Sequence, residues 1–159
     1  MNAIAEVNAS AKLVWFGNTL VSFVVPAAQG QDGLSMLEHW MPFTDSPPLH
    51  IHETEDELFH VISGTMRFVV GGTTVVLGAG DTVLAPKGVP HTYCVDSPEG
   101  AHCLTITRGG DFERMVRAAS RPATMADLPP RTQPDAAMIE ALVKLCAEHH
   151  IVVVGAPLV

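Results

Sequence analysis

The sequence predicts an all-β fold, a sandwich or barrel, with helices packed outside it toward the C-terminus. Between Leu13 and Thr107, short runs rich in β-branched and aromatic residues recur between Gly, Pro, Asn and Asp signals, and no long helical stretch interrupts them. After Gly109-Gly110 the apolar period changes from that of strands to that of helices. The length of 159 residues, 47% of them hydrophobic and 16% charged, suits one domain with a proper core and is short for two.

The elements follow in order. "KLVWF" and "TLVSFVV" flank Gly17-Asn18, the signature of a tight turn between strands. "SMLEHWM" and "DELFHVI" come next, then "RFVV" and "TTVVL" on either side of Gly71-Gly72, a two-residue hairpin loop. "DTVLAP", "HTYCV" and "HCLTITR" complete the β body. In "DFERMVRAAS" the residues Phe112, Met115, Val116 and Ala119 fall at helical spacing, with Asp111 expected as N-cap. A Pro-rich stretch leads to a stronger helix, "DAAMIEALVKLCAEHH", with Met138, Leu142 and Cys146 on one face and Ile139 and Val143 beside it. The closing "IVVVGAPLV" reads as an added strand or a segment tucked against a partner subunit. The expected divisions are an N-terminal arm over residues 1–12, a β body over 13–108 and a helical extension over 109–159.

Composition excludes several functions. A net charge of -8 without clustered Lys or Arg argues against nucleic acid, because phosphate recognition needs such clusters. The three cysteines, Cys94, Cys103 and Cys146, form no Cys-x-x-Cys pair, so neither a zinc clip nor a redox motif is expected. The N-terminal run has no basic segment followed by an apolar one, and no apolar stretch approaches spanning length. A cytoplasmic chain with free thiols, no membrane contact and a small-molecule partner is the expectation.

The chemistry concentrates in "PPLHIHETEDELFHVISG". His50 and His52 are two apart, which on a strand aims both imidazoles at one point. After the polar turn "ETED", alternation places Glu57, Phe59 and Val61 on one side of the next strand. An inward carboxylate beside two imidazoles needs neutralising by protons, hydrogen bonds or a metal. Imidazole nitrogen with carboxylate oxygen suits one divalent transition-metal ion, with iron, manganese, cobalt, nickel, copper and zinc all compatible. A fourth candidate, His91, follows the turn built on Pro86 and Gly88.

These residues resemble the cupin family. Its first motif, roughly Gly-x5-His-x-His, three or four residues, Glu, six residues, Gly, is matched at His50, His52, Glu57 and Gly64; its second, roughly Gly-x5-Pro-x-Gly-x2-His-x3-Asn, at Gly80, Pro86, Gly88 and His91. Two departures stand out: Thr44 or Asp45 replaces the first motif's leading Gly, and Val95 replaces the closing Asn. The resemblance covers about residues 13–108 and implies a double-stranded β-helix, jelly-roll-like barrel with a metal held by His50, His52, Glu57 and His91. The C-terminal stretch is similar to the extensions of small bacterial cupins of the quercetin 2,3-dioxygenase type.

Plain roles are expected elsewhere. His60 alternates away from Glu57 and should lie outside the barrel; His39, His102, His149 and His150 read as structural or solvated, and Glu53, Glu55 and Asp56 as a solvated loop. Cys94 and Cys103 read as inert buried thiols. Met36, Trp40, Phe59 and Phe68 are candidates to line a substrate pocket, although such residues in strands are more often core. The resemblance implies a metal-dependent dioxygenase for a small aromatic or enolic, flavonol-like substrate, with Glu57 as ligand and catalytic base. The alternatives are a non-catalytic small-molecule or metal-binding cupin, or a metal Lewis acid for isomerisation, cyclisation or hydrolysis. A homodimer is the expected assembly, again by resemblance.

Overall fold

The computed structural model describes residues 12–158, so nearly all of the arm expected over residues 1–12 lies outside the described residues. Among the described residues there are twelve strands: β1 (Leu13–Phe16), β2 (Thr19–Val25), β3 (Leu34–Met41), β4 (His50–His52), β5 (Glu57–Ser63), β6 (Met66–Val70), β7 (Thr73–Leu77), β8 (Thr82–Ala85), β9 (His91–Val95), β10 (Ala101–Arg108), β11 (Arg121–Pro122) and β12 (Ile151–Val153). Two α-helices, α1 (Asp111–Ala119) and α2 (Ala136–Glu148), follow the β body, as the change of period predicts. No helix among the described residues is long and apolar enough to cross a membrane.

The strands form two antiparallel sheets, β11-β1-β2-β3-β10-β5-β8 and β12-β4-β9-β6-β7. Neighbours in space are mostly distant in sequence, the signature of a jelly-roll-like barrel. Period-two alternation sorts the side chains. Along β3, Ser35, Leu37, His39 and Met41 are buried, while Met36, Glu38 and Trp40 take the other face. Glu57, Phe59 and Val61 of β5 turn inward as expected. Met41, Phe59, Val61, Met66, Phe68, Val95 and Cys103, drawn from both sheets, make the barrel core. A second cluster, Val21, Leu37, Phe112, Met115, Val116, Cys146 and Ile151, seats the helices.

The turns carry their own logic. Gly71-Gly72 joins β6 to β7 with both glycines at positive φ, 57° and 82°. Gly64, the closing glycine of the first motif, has φ +84°, and a Cβ there would lie 2.5 Å from the Gly100 carbonyl oxygen, so only glycine fits. Thr44 adopts φ 64° where the family pattern has glycine, keeping the turn at a steric cost that a residue with a Cβ carries.

Three expectations need correction. The N-cap of α1 is Gly110 in the left-handed region, with no side-chain cap; Asp111 is the first helical residue. Of the α2 face, Leu142, Leu145 and Cys146 pack inward, while Met138, Ile139 and Val143 are exposed. An amphipathic pattern gives the width of an apolar stripe but not which edge of it finds a partner. Glu55 is not solvated: it is 1% exposed, between exposed Glu53 and Asp56. The C-terminal run settles as a strand, with Ile151, Val152 and Val153 paired to His52, Ile51 and His50.

The second helix offers a small check on this local account. The Asp135 carboxylate accepts the Met138 amide at 2.8 Å, a side-chain N-cap. Asp135→Ala is expected to cost about 1 kcal/mol, read as a fall in melting temperature of about 2–4 °C for a chain of this size.

Candidate metal centre

Three strands and one short turn bring the first-predicted residues together. β4 supplies His50 and His52, held by β12 on one edge and by β9 on the other, where His50 pairs with His91. The Gly88 amide donates to the His52 carbonyl at 2.8 Å, clamping the second motif's turn onto the first motif. β5 brings Glu57 across from the facing sheet. Donor atoms of His50, His52, Glu57 and His91 lie within 4.8 Å of one another.

All three Nε2 atoms converge on Glu57 Oε2, at 2.8 Å from His91, 3.2 Å from His52 and 4.0 Å from His50. His50 Nδ1 lies 2.8 Å from the Pro48 carbonyl oxygen and His91 Nδ1 lies 3.0 Å from that of Val89. A carbonyl only accepts, so each Nδ1 carries the proton and donates it. A neutral ring then presents a bare lone pair at Nε2. Lone pairs of His91 and Glu57 2.8 Å apart repel unless a positive charge sits between them, either a proton or a metal ion. His52 Nε2 is buried and has no hydrogen-bond partner, as a ligand nitrogen awaiting an ion would. The donor set therefore fits a divalent transition metal, and all four candidate ligands are where the sequence motifs predict them.

Electrostatics point the same way. Burial pushes the Glu57 carboxyl up, but the surrounding imidazoles, His52 foremost, more than reverse this and hold it at about 2. Burial lowers His50 to about 4, against the opposing pull of Glu57. At neutral pH the site thus offers an ionised carboxylate and an unprotonated His50, whereas His52 is raised, its burial overridden by Glu57 and Glu55, so an ion would compete with a proton there. Of the four candidate ligands, Glu57, His52 and His91 are buried, and His50 keeps 13% of its side chain exposed. The way in from solvent is on the His50 side.

The pocket candidates divide. Phe59 and Phe68 face inward, their rings 5.0 Å apart between centroids, and Phe59 lies 6.3 Å from His91. Both belong to the barrel core. Met36 and Trp40 point to the outer face, where Trp40 stacks on His102 at 4.7 Å. His60 also turns outward, bonding Thr82. Cys103 is buried and its thiol is pushed up to about 12, in keeping with an inert side chain.

Two neighbours of the site carried no chemical signal in the sequence. His39 lies 5% exposed with an unpartnered Nε2, its ring stacked on Phe112 at 6.2 Å. Alternation with Leu37 and Met41 places it inward, and that signal was available. Glu55 lies behind His52, its Oε2 3.9 Å from Nδ1. Nothing in "ETED" distinguishes it from the exposed acids beside it.

Fold and site together define a cupin domain with a 3-His, 1-Glu cage able to hold a metal. The Cupin domain family matches residues 36–107, so this part of the chain is a cupin domain. Among curated proteins it is similar to quercetin 2,3-dioxygenase of Bacillus subtilis (strain 168), 28% identical over 86 residues. That match takes in 54% of this chain and 25% of the relative, so the chain spans about a quarter of that protein's length. Among solved structures, a predicted oxalate decarboxylase from Thermotoga maritima superposes with TM-score 0.56 at 18% identity, covering 64% of this chain and 95% of that one. The polyketide cyclase RemF from Streptomyces resistomycificus gives TM-score 0.54 at 20% identity, covering 77% and 86%. At such identities these structures share the fold, and the reaction has to be argued from the site.

Proposed function

We propose that this chain is a metal-dependent dioxygenase acting on a small aromatic or enolic substrate of the flavonol kind. The observation that carries the reading is the cage itself: three imidazole Nε2 atoms and one carboxylate oxygen converge, with His50 the most exposed of the four residues. Similarity over 86 residues to a quercetin 2,3-dioxygenase supports the choice of reaction. The bound ion would supply a Lewis-acidic point at which a substrate oxygen and dioxygen meet.

The remaining roles belong to the chain. His50, His52 and His91 would hold the ion, and the Pro48 and Val89 carbonyls fix the ring orientation of His50 and His91. Glu57, kept ionised by its imidazole neighbours, accepts the proton of an incoming substrate hydroxyl at Oε2. Phe59, Phe68 and Tyr93, with ring centroids 5.0–5.9 Å apart, give an apolar aromatic floor that excludes water from the inner side. A second copy of the chain would cover the exposed Met138, Ile139 and Val143 of α2.

The test is elemental analysis of untagged protein, followed by oxygen uptake with flavonols and other enols. Stoichiometric iron, manganese, cobalt, nickel or copper with substrate-dependent uptake is the expected result. Turnover without oxygen consumption would replace the reading by Lewis-acid isomerisation or cyclisation. A site that stays empty on reconstitution would leave a binding module. Where an ion does bind, a chelator is expected to lower thermal stability, because an ion present at 100 times its dissociation constant contributes about 2.7 kcal/mol.

A further inference from the structure

We propose that Glu55 is a positioning residue that holds His52 for metal binding and, through the same carboxylate, couples the metal centre to the docking of α1. The inference rests on the metal reading above and concerns how that site is held.

The three histidines are not treated alike. His50 and His91 each fix their ring by donating Nδ1–H to a backbone carbonyl. His52 Nδ1 is buried with no hydrogen bond, and the acceptor it faces is Glu55 Oε2, 3.9 Å away. Glu55 and His52 are each 1% exposed, so neither has water as an alternative partner at its surface. The Glu55 carboxylate stands toward His52 where the Pro48 and Val89 oxygens stand toward the other two rings. A movement of about 0.7–1.2 Å at Nδ1 would bring the pair from 3.9 Å into hydrogen-bond range of about 2.7–3.2 Å.

The other contacts of Glu55 lead to the helix. Oε1 accepts the Asp111 amide at 2.9 Å and Oε2 the Phe112 amide at 2.8 Å, two of the donors left open at the start of α1. Each carboxylate oxygen has two lone pairs, so Oε2 can serve Phe112 and His52 together. The approach is close: at Gly109, φ +139°, a Cβ would lie 3.0 Å from Glu55 Oε1. Phe112, on the same turn, has its ring 5.6 Å from that of His52 and stacked on His39. Docking of α1 and placement of the His52 ring therefore share one carboxylate and one aromatic contact. If ion binding draws His52 into place, it also tightens the first turn of α1, and the reciprocal must hold.

The experiment compares the metal-free full chain, wild type, Glu55→Gln, Glu55→Ala and Thr54→Val, by competition titration with Zn(II) and by amide hydrogen exchange with and without Zn(II). Thr54 donates to Asp111 Oδ2 at 2.7 Å, so its loss loosens the same helix start without facing His52. Zn(II) affinity should fall roughly 10- to 100-fold in both Glu55 variants and stay near wild type in Thr54→Val. Zn(II) should slow exchange at the Asp111 and Phe112 amides in wild type and lose that effect in Glu55→Gln. Glu55→Gln keeps the side-chain volume if the Ala variant fails to fold. Wild-type Zn(II) affinity in the Glu55 variants, or an equal loss in Thr54→Val, would reduce Glu55 to a helix cap and overturn the proposal. Wild type that binds no Zn(II) would remove the metal reading and this inference with it.

Discussion

Glu57→Gln is expected to lower turnover by roughly 10²- to 10⁴-fold, the usual worth of a positioned general base, while costing much less in metal occupancy. The glutamine keeps the length and shape of the side chain and can still present one oxygen to the ion. What it loses is the negative charge and the capacity to take a proton at Oε2, the atom on which the three Nε2 nitrogens converge at 2.8, 3.2 and 4.0 Å. His91→Ala is the necessary contrast. It removes a nitrogen outright and leaves the Glu57 carboxylate buried without its nearest partner, so it should empty the site as well as abolish activity. Metal content measured beside turnover separates the two. If Glu57→Gln and His91→Ala lose metal and activity in the same proportion, Glu57 is a ligand and nothing more.

That contrast can be drawn because the cage was legible in the sequence. A His-x-His on a strand and an inward Glu on the next need only the period of two, and Gly88 with Pro86 fixes the turn that presents His91. The hairpin at Gly71-Gly72 is equally local. What escaped depends on contacts distant in the chain. Strand β12 pairs Ile151 with His52 across about a hundred residues, and its short apolar run fits a strand or a subunit contact equally well. Glu55 sits in an acidic loop that reads as solvated; its burial follows only when α1 brings the Asp111 and Phe112 amides to it. The same contact bears on the misplaced N-cap: a carboxylate from another segment takes the Asp111 and Phe112 amides, so the helix starts one residue earlier, behind Gly110. Met36 and Trp40 are offered for a pocket by residue type; β3 carries apolar residues on both faces, and these two lie on the face opposite Leu37, His39 and Met41.

His39 should make the metal-free protein lose stability in mild acid. It sits on β3 between Val21 and Cys103, 5% exposed, with Phe112 stacked on it and Nε2 unpartnered. Burial lowers its pKa from 6.5 to about 4, the charge of Glu57 pulling the other way. A group depressed in the folded state favours folding while it is neutral in both states, so its contribution is complete above about pH 6.5. It is lost as pH falls through 4. At about 1.4 kcal/mol per pH unit, the loss over that window is about 3 kcal/mol. His50, also lowered to about 4, adds a parallel loss in the metal-free chain. Asp45 runs the other way: burial raises it to about 6 against the pull of Arg131, so its contribution grows as pH falls from 6 toward 3.8. Both are common to wild type and His39→Phe, and the difference between their urea midpoints across pH 4–7 isolates His39. The variant should match or exceed wild type above pH 6.5, because it deletes a buried nitrogen that has no partner. Below that it should fall more gently, by about 3 kcal/mol at pH 4; parallel curves for the two proteins would mean that His39 is not held neutral by the barrel.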